Sequence, residues 1–459
     1  MSATGSGIPA NREALVARGP APLRELVLAI VEAGVLAADP EAAVRAAVSL
    51  GQGGAVIVDG VSHVPGPGGR VLVLGAGKAS ARIATTLEQL LGDVIAGGVV
   101  VAPEGHAASL DRIELLSAGH PLPTEASCHA AQRLMQLAET TGPDDVVLAC
   151  FTGGSSALAC LPADGVSFEE KRELHRLLLG SGAAIREINA VRKHVSGLKG
   201  GRLAAAMGGA SVVNLTVSDV VGDPLDAITD PTVTDTTSGE QAIAVLHAYD
   251  LWDAVAPSIR RHLTATVNDA APQLDDLSIQ SLVLVTGADV ANAMVRRSTE
   301  LGVTAHVVST TMEGESREIG TALAAIAVEI HDHGRPFARP CVLVGAGGET
   351  TVTLTQSEEF GLGGPNQAAA LAAALRIGAG RSITAAFLDT DGMDGGTEVA
   401  GALVDGSTLE RAVALEIDLR TALLRHRSSE VLTRLGDTIV TGQTGSNVND
   451  LFAIAVGPA

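Results

Sequence analysis

The run Val71-Leu72-Val73-Leu74, emptying into Gly75-Ala76-Gly77-Lys78, restricts the fold of this chain more than any other stretch. Four consecutive aliphatic residues, two of them β-branched, read as a strand buried on both faces, as in a parallel sheet. Gly75 and Gly77 make a tight turn, and Ala79 to Leu91 reads as a helix. A glycine turn feeding a helix N-terminus offers backbone N–H groups to an anion, and Lys78 adds a mobile positive charge at that spot. The spacing is not that of a Walker A loop, because no glycine stands five residues before Gly77. Ser80 replaces the third glycine of the dinucleotide fingerprint. The segment alone leaves two readings open: a phosphate- or carboxylate-facing turn, or an ordinary βα turn with a surface lysine.

The same alternation continues. Helical stripes begin at Pro22 and Pro40, and strands are expected at Gly98–Val101, Ile113–Leu116, Val146–Cys150 and Val212–Val217. Helices open near Pro123 and Phe168. Such alternation predicts a doubly wound α/β layer whose ligand lies at the carboxyl ends of the strands. One of those ends is Thr152-Gly153-Gly154-Ser155-Ser156. With 459 residues, more than one core is expected. The polar, irregular stretch 263–278 reads as a hinge, dividing a domain over 22–262 from one over 279–459, after a flexible tail over 1–21. The second half begins with a strand at Ser281–Thr286 and adds others at Ala305–Val308, Cys341–Val344 and Ile383–Leu388. The fold class is therefore α/β, two domains with mostly parallel sheets.

Composition excludes several functions. A formal net charge of −21 argues against nucleic acid as a partner, since a phosphate backbone calls for clustered Lys and Arg. An anionic substrate requires only a locally basic site. No apolar run approaches the roughly 20 residues of a membrane span, and Met1 to Gly19 has no apolar leader core. Cys128, Cys150, Cys160 and Cys341 lack CxxC spacing and sit mostly in apolar runs, which suits buried thiols in a reducing cytoplasm.

Two further clusters suggest chemistry. Within the helical stretch beginning at Phe168, Ile185, Ile188, Val191 and Val195 form one face. Arg186, Asn189, Arg192, Lys193 and His194 occupy the others, with Lys199-Gly200-Gly201 just beyond. This is either a solvated face or an anion site. The strand at 212–217 leads into Ser218-Asp219-Val220-Val221-Gly222-Asp223-Pro224-Leu225-Asp226. Three aspartates beside Gly and Pro suit either a loop that holds Mg²⁺ or one built on Asx turns. His106, His120, His194 and His306 show no metal-ligand spacing and are expected on loops or the surface.

Taken in order, these segments resemble the glycerate 2-kinase family, whose C-terminal part is the MOFRL domain. The matching stretches are Gly75 to Ala79, His120-Pro121-Leu122-Pro123, Asn189 to His194, Lys199 to Gly201, Ser218 to Asp226, Gly347-Gly348-Glu349-Thr350, Asp389 to Gly395, and Thr444 to Asp450. The resemblance implies two α/β domains with the active site in the cleft between them. It implies transfer of the γ-phosphoryl group of ATP to the 2-hydroxyl of D-glycerate, with Mg²⁺ as cofactor. Lys78 would then contact the transferring phosphate, while Asn189, Arg192 and Lys193 hold the substrate carboxylate beside Ser218. Asp219, Asp223 or Asp391 would hold the metal and orient the hydroxyl, with Asp219 counted among the catalytic residues. Gly75, Gly77, Gly153, Gly154, Ser155, Gly347, Gly348, Glu349, Asn366 and Asn447 would line the nucleotide. The oligomeric state, with a homodimer as one option, stays open.

Three positions depart from the family pattern. Pro365 stands where the family has a phosphate-facing arginine, in Gly363-Gly364-Pro365-Asn366-Gln367-Ala368. Ser155 replaces a glycine of the Ser-Gly-Gly-Gly-Ser loop, and Asp230 puts an acid into Thr229-Asp230-Pro231-Thr232. Arg186 and Arg192 are candidates for a substitute cation. The alternative is a homologue with altered or lost activity that binds its ligand. Hydroxypyruvate reduction is disfavoured by the missing dinucleotide fingerprint.

Overall fold

The computed structural model describes residues 8–105, 109–218, 220–222, 224–225, 230–272, 274, 277–354 and 360–458. The chain divides into two compact units: Pro40–Leu284, and Met1–Asp39 together with Val285–Ala459.

The unit Pro40–Leu284 is built on six strands: β1 (Val71–Ala76), β2 (Ile95–Pro103), β3 (Ile113–Ala118), β4 (Val146–Phe151), β5 (Ser211–Val217) and β6 (Ile279–Val285). They lie in the order β3-β2-β1-β4-β5-β6, and the pairings β2–β3, β1–β2, β1–β4 and β4–β5 are all parallel. The order of strands reverses between β1 and β4, the switch point at which doubly wound sheets bind ligands. Every residue of β1 and of β4 is buried, as the aliphatic run predicts. Helix α1 (Ser80–Leu91) follows β1 and turns Ile83, Ala84, Leu87 and Leu91 inward. A small antiparallel sheet over Val48–Leu50, Val56–Val58 and Val61–His63 lies between the helix that begins at Pro40 and β1 in the chain.

The other unit carries β7 (Thr304–Ser309), β8 (Cys341–Thr351), β9 (Ile383–Asp389), β10 (Gly401–Asp405), β11 (Thr438–Ile439) and β12 (Asp450–Val456). Their order is β7-β8-β12-β9-β10-β11. Only β7 and the short Glu313–Glu315 strand run parallel to β8; β8–β12, β12–β9, β9–β10 and β10–β11 are antiparallel. Mostly parallel pairing thus holds for the first sheet and not for this one. An apolar run reports burial on both faces, not strand direction.

The domain limits also differ from the expected 22–262 and 279–459. The strand at 279–285 closes the first sheet beside β5. The helix Ala21–Ala37 belongs to the second unit, where it packs on β12, β9 and the helix Gly287–Glu300. It is apolar around most of its circumference, and Gly34 lets Met294 and Leu451 approach closely. Residues of the expected tail are docked as well. Leu15 is buried, Asn11 Nδ2 donates to Thr438 O, and Val440 N donates to Asn11 Oδ1. The four cysteines are free thiols; Cys150, Cys160 and Cys341 are buried and Cys128 is half-buried. Among the described residues no helix is long and apolar enough to cross a membrane.

Candidate functional site

At the switch point the two glycine turns are stitched together. The N–H of Lys78 donates to Gly153 O at 2.8 Å, and that of Ala79 donates to Thr152 Oγ1 at 3.2 Å. Ser80 Oγ donates to Cys150 O at 2.6 Å. A side chain at Gly77 would overlap Thr152 Oγ1, so this glycine serves the joint between the turns. Gly154 has φ +85°, and a Cβ there would lie 3.0 Å from His120 Cδ2 and 3.5 Å from Lys78 Cγ. Lys78 and His120 therefore flank Gly154. His120, expected on a loop or the surface, reaches the head of the sheet from the Gly119–Pro123 loop, whose His120–Pro121 bond is cis. Ser155 is buried and begins the short helix Ser155–Leu158.

The basic segment forms α3 (Ile185–His194). It is not a solvated face, because Asn189, Arg192, Lys193 and nearby Lys199 are all buried, at 2–9% exposure. The preceding helix α2 (Phe168–Leu179) supplies Lys171 and His175, which sequence reasoning did not single out. Lys171 Nζ donates to Val195 O at 2.6 Å, and Arg192 Nη2 lies 3.0 Å from His175 Nε2. Burial lowers the Lys171 pKa to about 8, and with neighbouring positive charge it lowers that of His175 to about 3. Burial is the main cause of both shifts, and the charges of Arg192 and Lys199 add to it, so the two side chains sit in a buried cluster of cations. Lys193 is engaged differently: its ammonium pairs with Asp235 Oδ1 at 3.2 Å. Arg186 and Ile185 are exposed, so neither joins the cluster or the apolar face assigned to it. Ser218 follows the strand β5 and bonds locally to Val220. Asp219 and Asp223, the expected metal ligands, lie outside the described residues, as does His106.

In the second unit an acidic group gathers where β8, β9 and β12 meet. Asp389 is the register partner of Asp450. Asn366 Nδ2 donates to Asp450 Oδ1 at 2.6 Å, and Thr350 donates to Asp450 Oδ2 through its N–H and its hydroxyl. Asp394, another residue not singled out, is 1% exposed and accepts the N–H groups of Asn366 and Gln367, each at 2.9 Å. Gln367 Nε2 adds a third bond at 2.9 Å. Pro365 is the first residue of the helix Pro365–Ile377, so Asp394 satisfies the N–H groups that follow it. That helix start is filled from within and holds no arginine, so it is not a phosphate cradle. Gly364 must lack a side chain because one would overlap the Asp394 carboxylate.

Gly347 and Gly348 differ from expectation. Their Cβ sides face the backbone of Gly287 and Met312, so close chain packing requires both glycines. Glu349 is exposed on β8 with its N–H donated to Met312 O. Asn447 Oδ1 accepts the N–H of Asn449, and Asp391 Oδ1 accepts that of Met393. Among the described residues no group of three His, Cys, Asp or Glu side chains converges as a metal site. Mg²⁺ takes only one or two carboxylates when phosphates and waters complete its octahedron, and half-buried Asp391 fits that demand.

A doubly wound unit with a buried cluster of basic side chains, followed by an acid-edged mixed sheet, defines an α/β protein with the parts for handling a small anion. Comparison with known proteins makes this specific. Residues 26–264 match a domain of unknown function (DUF4147), and residues 341–450 match the MOFRL family. The glycerate 2-kinase of Pyrococcus horikoshii is 38% identical over 438 residues, 95% of this chain and 97% of that protein. The D-glycerate 2-kinase of Thermotoga maritima is 37% identical over 386 residues, 83% and 90% of the two chains. A putative hydroxypyruvate reductase of Agrobacterium vitis is 37% identical over 439 residues, 95% of this chain and 94% of its own. The crystal structure of the Thermotoga maritima glycerate kinase superposes with a TM-score of 0.82 at 34% identity, covering 95% of this chain and all of that one. A Pyrococcus horikoshii structure gives 0.79 at 37% identity, covering 95% and 99%. The chain belongs to the glycerate 2-kinase family.

Proposed function

We propose that this protein transfers the γ-phosphoryl group of ATP to the 2-hydroxyl of D-glycerate or a closely related small 2-hydroxy acid. The observation that carries the reading is Lys78, held at the switch point by its N–H bond to Gly153 and set beside His120. The nearby helix α3 carries the buried Arg192. The hydroxyl oxygen forms a bond to the γ-phosphorus as the bond from that phosphorus to the β–γ bridging oxygen breaks. The hydroxyl proton leaves to a carboxylate, for which Asp219 is the candidate. Such a transfer needs positioning and positive charge more than covalent help. Lys78 meets the charge on the moving phosphoryl group, and the planar fork of Arg192 takes the substrate carboxylate with Asn189. Lys193, already paired with Asp235, acts as a brace to that pair more than as a ligand. Gly153, Gly154 and Ser155 line the approach of the phosphates. Mg²⁺, for which Asp219, Asp223 or Asp391 is the candidate ligand, would supply charge neutralisation on the nucleotide phosphates.

The test is ATP-coupled phosphorylation of a panel of 2-hydroxy acids, with the product position read by phosphorus NMR. Formation of 2-phosphoglycerate supports the reading, and no turnover on any acid overturns it. Pro365 and the Asp394-filled helix start favour one second reading, a homologue that binds its hydroxy acid without fast transfer. Calorimetric binding of D-glycerate without turnover distinguishes it. Localisation in the cytoplasm is part of the same proposal, consistent with four free thiols.

A further inference from the structure

Lys171 and His175 stand four residues apart on the helix Phe168–Leu179, and so share one of its faces. Both reach α3. Lys171 holds the carbonyl of Val195, the C-cap of α3, and His175 meets Arg192 one turn earlier. The two side chains are 7% and 6% exposed, so this is an internal bracket and not a surface contact. A guanidinium nitrogen can only donate, so at 3.0 Å His175 Nε2 must accept, which puts the ring proton on Nδ1. Burial and the charges of Arg192, Lys171, Lys199 and His120 keep the ring unprotonated. A neutral imidazole that accepts from the fork fixes its plane without adding a negative charge beside it.

We infer that His175, as an Nδ1–H imidazole, is a positioning residue that sets the guanidinium plane of Arg192 for the carboxylate of the hydroxy acid. The inference rests on the role proposed above for Arg192. It adds a specificity device: affinity for the acid depends on a residue that does not touch it. Lys171 fixes the end of the same helix and so the height at which Arg192 is presented.

The experiment compares His175→Leu, which cannot accept, with His175→Gln, whose amide oxygen can. The expected result for H175L is a rise of about tenfold in KM for D-glycerate with KM for ATP unchanged, while H175Q stays within about threefold. An unchanged KM for D-glycerate in H175L, or equal impairment in both variants, overturns the inference. A reading free of turnover and of variant folding comes from ¹⁵N NMR of the wild-type protein. The His175 ring should show a protonated Nδ1 and an unprotonated Nε2, the latter shifting in Arg192→Lys. An Nε2–H tautomer or an imidazolium overturns the inference even if the kinase reading stands. Absence of turnover together with the expected tautomer removes the kinase reading and leaves the His175–Arg192 pair as described.

Discussion

The N–H of Lys78 donates to the carbonyl of Gly153 at 2.8 Å, so the turns after β1 and β4 form one rigid piece. Lys78 is thereby aimed by a backbone that cannot drift without breaking a buried joint, which Ala79 and Ser80 reinforce. Preorganised charge of this kind is what phosphoryl transfer exploits. Lys78→Ala should lower kcat by on the order of 10³ while leaving the folded state intact. Steady-state kinetics with circular dichroism checks this; retention of most of the kcat would remove Lys78 from the mechanism.

Gly154 tests the other side of the joint. Its φ of +85° is strained for any L side chain, and a Cβ would sit 3.0 Å from the His120 ring. Gly154→Ala should cost about 1 kcal/mol in stability from the backbone alone. It should also displace His120 and reduce turnover by more than the stability loss explains. Urea unfolding beside kinetics separates the two effects, and wild-type turnover in a stably folded variant would detach His120 from the site.

Asp394 accepts four hydrogen bonds from the start of one helix, two from backbone N–H groups and two from the Asn366 and Gln367 amides, and Asp394→Ala would leave both N–H groups without that acceptor. A loss of about 3 kcal/mol or more is expected in denaturant unfolding. Burial also raises its carboxyl pKa from 3.8 to about 6. A group whose folded pKa is raised contributes stability that is complete below its unfolded pKa and is lost as pH rises through the folded value. The stability of wild type relative to Asp394→Asn should therefore fall between pH of about 4 and about 6 and then level off. A difference that grows with pH across that window would contradict this assignment.

Arg24 is 0% exposed, pairs with Asp405 at 2.5 Å and Asp437 at 3.0 Å, and donates to Leu15 O. It pins the N-terminal helix into the second unit. Arg24→Met leaves two buried carboxylates short of a cation and should cost about 3–5 kcal/mol in that unit, read by its unfolding transition. A loss within experimental error would show that apolar packing alone docks the helix.

The parts of the fold carried by local pattern were legible in the sequence. The aliphatic run at 71–74 and the alternation around it express backbone preferences that tertiary context does not override. The destination of the N-terminal helix was not legible, because an apolar circumference says that a helix is buried and not against which sheet. Strand direction around β12 was hidden for the same reason. Within the site, Lys78 and the Arg192 helix announced themselves by charge beside glycine or in an acidic chain. His175 and Lys171 did not, since a charged or polar residue on an amphipathic helix reads as solvent-facing until its neighbour is known. The i, i+4 spacing of a Lys and a His just before the basic helix was the one available signal. Gly347 and Gly348 show the converse, a glycine pair that reads as a ligand loop but makes room for protein backbone.

The most direct test is phosphorus NMR of the purified chain with ATP, Mg²⁺ and D-glycerate. The account predicts a 2-phosphoglycerate resonance growing in step with loss of the γ-phosphate of ATP, abolished in Lys78→Ala. An ATP signal that stays constant in the wild-type protein, across D-glycerate and its 2-hydroxy-acid relatives, would contradict it.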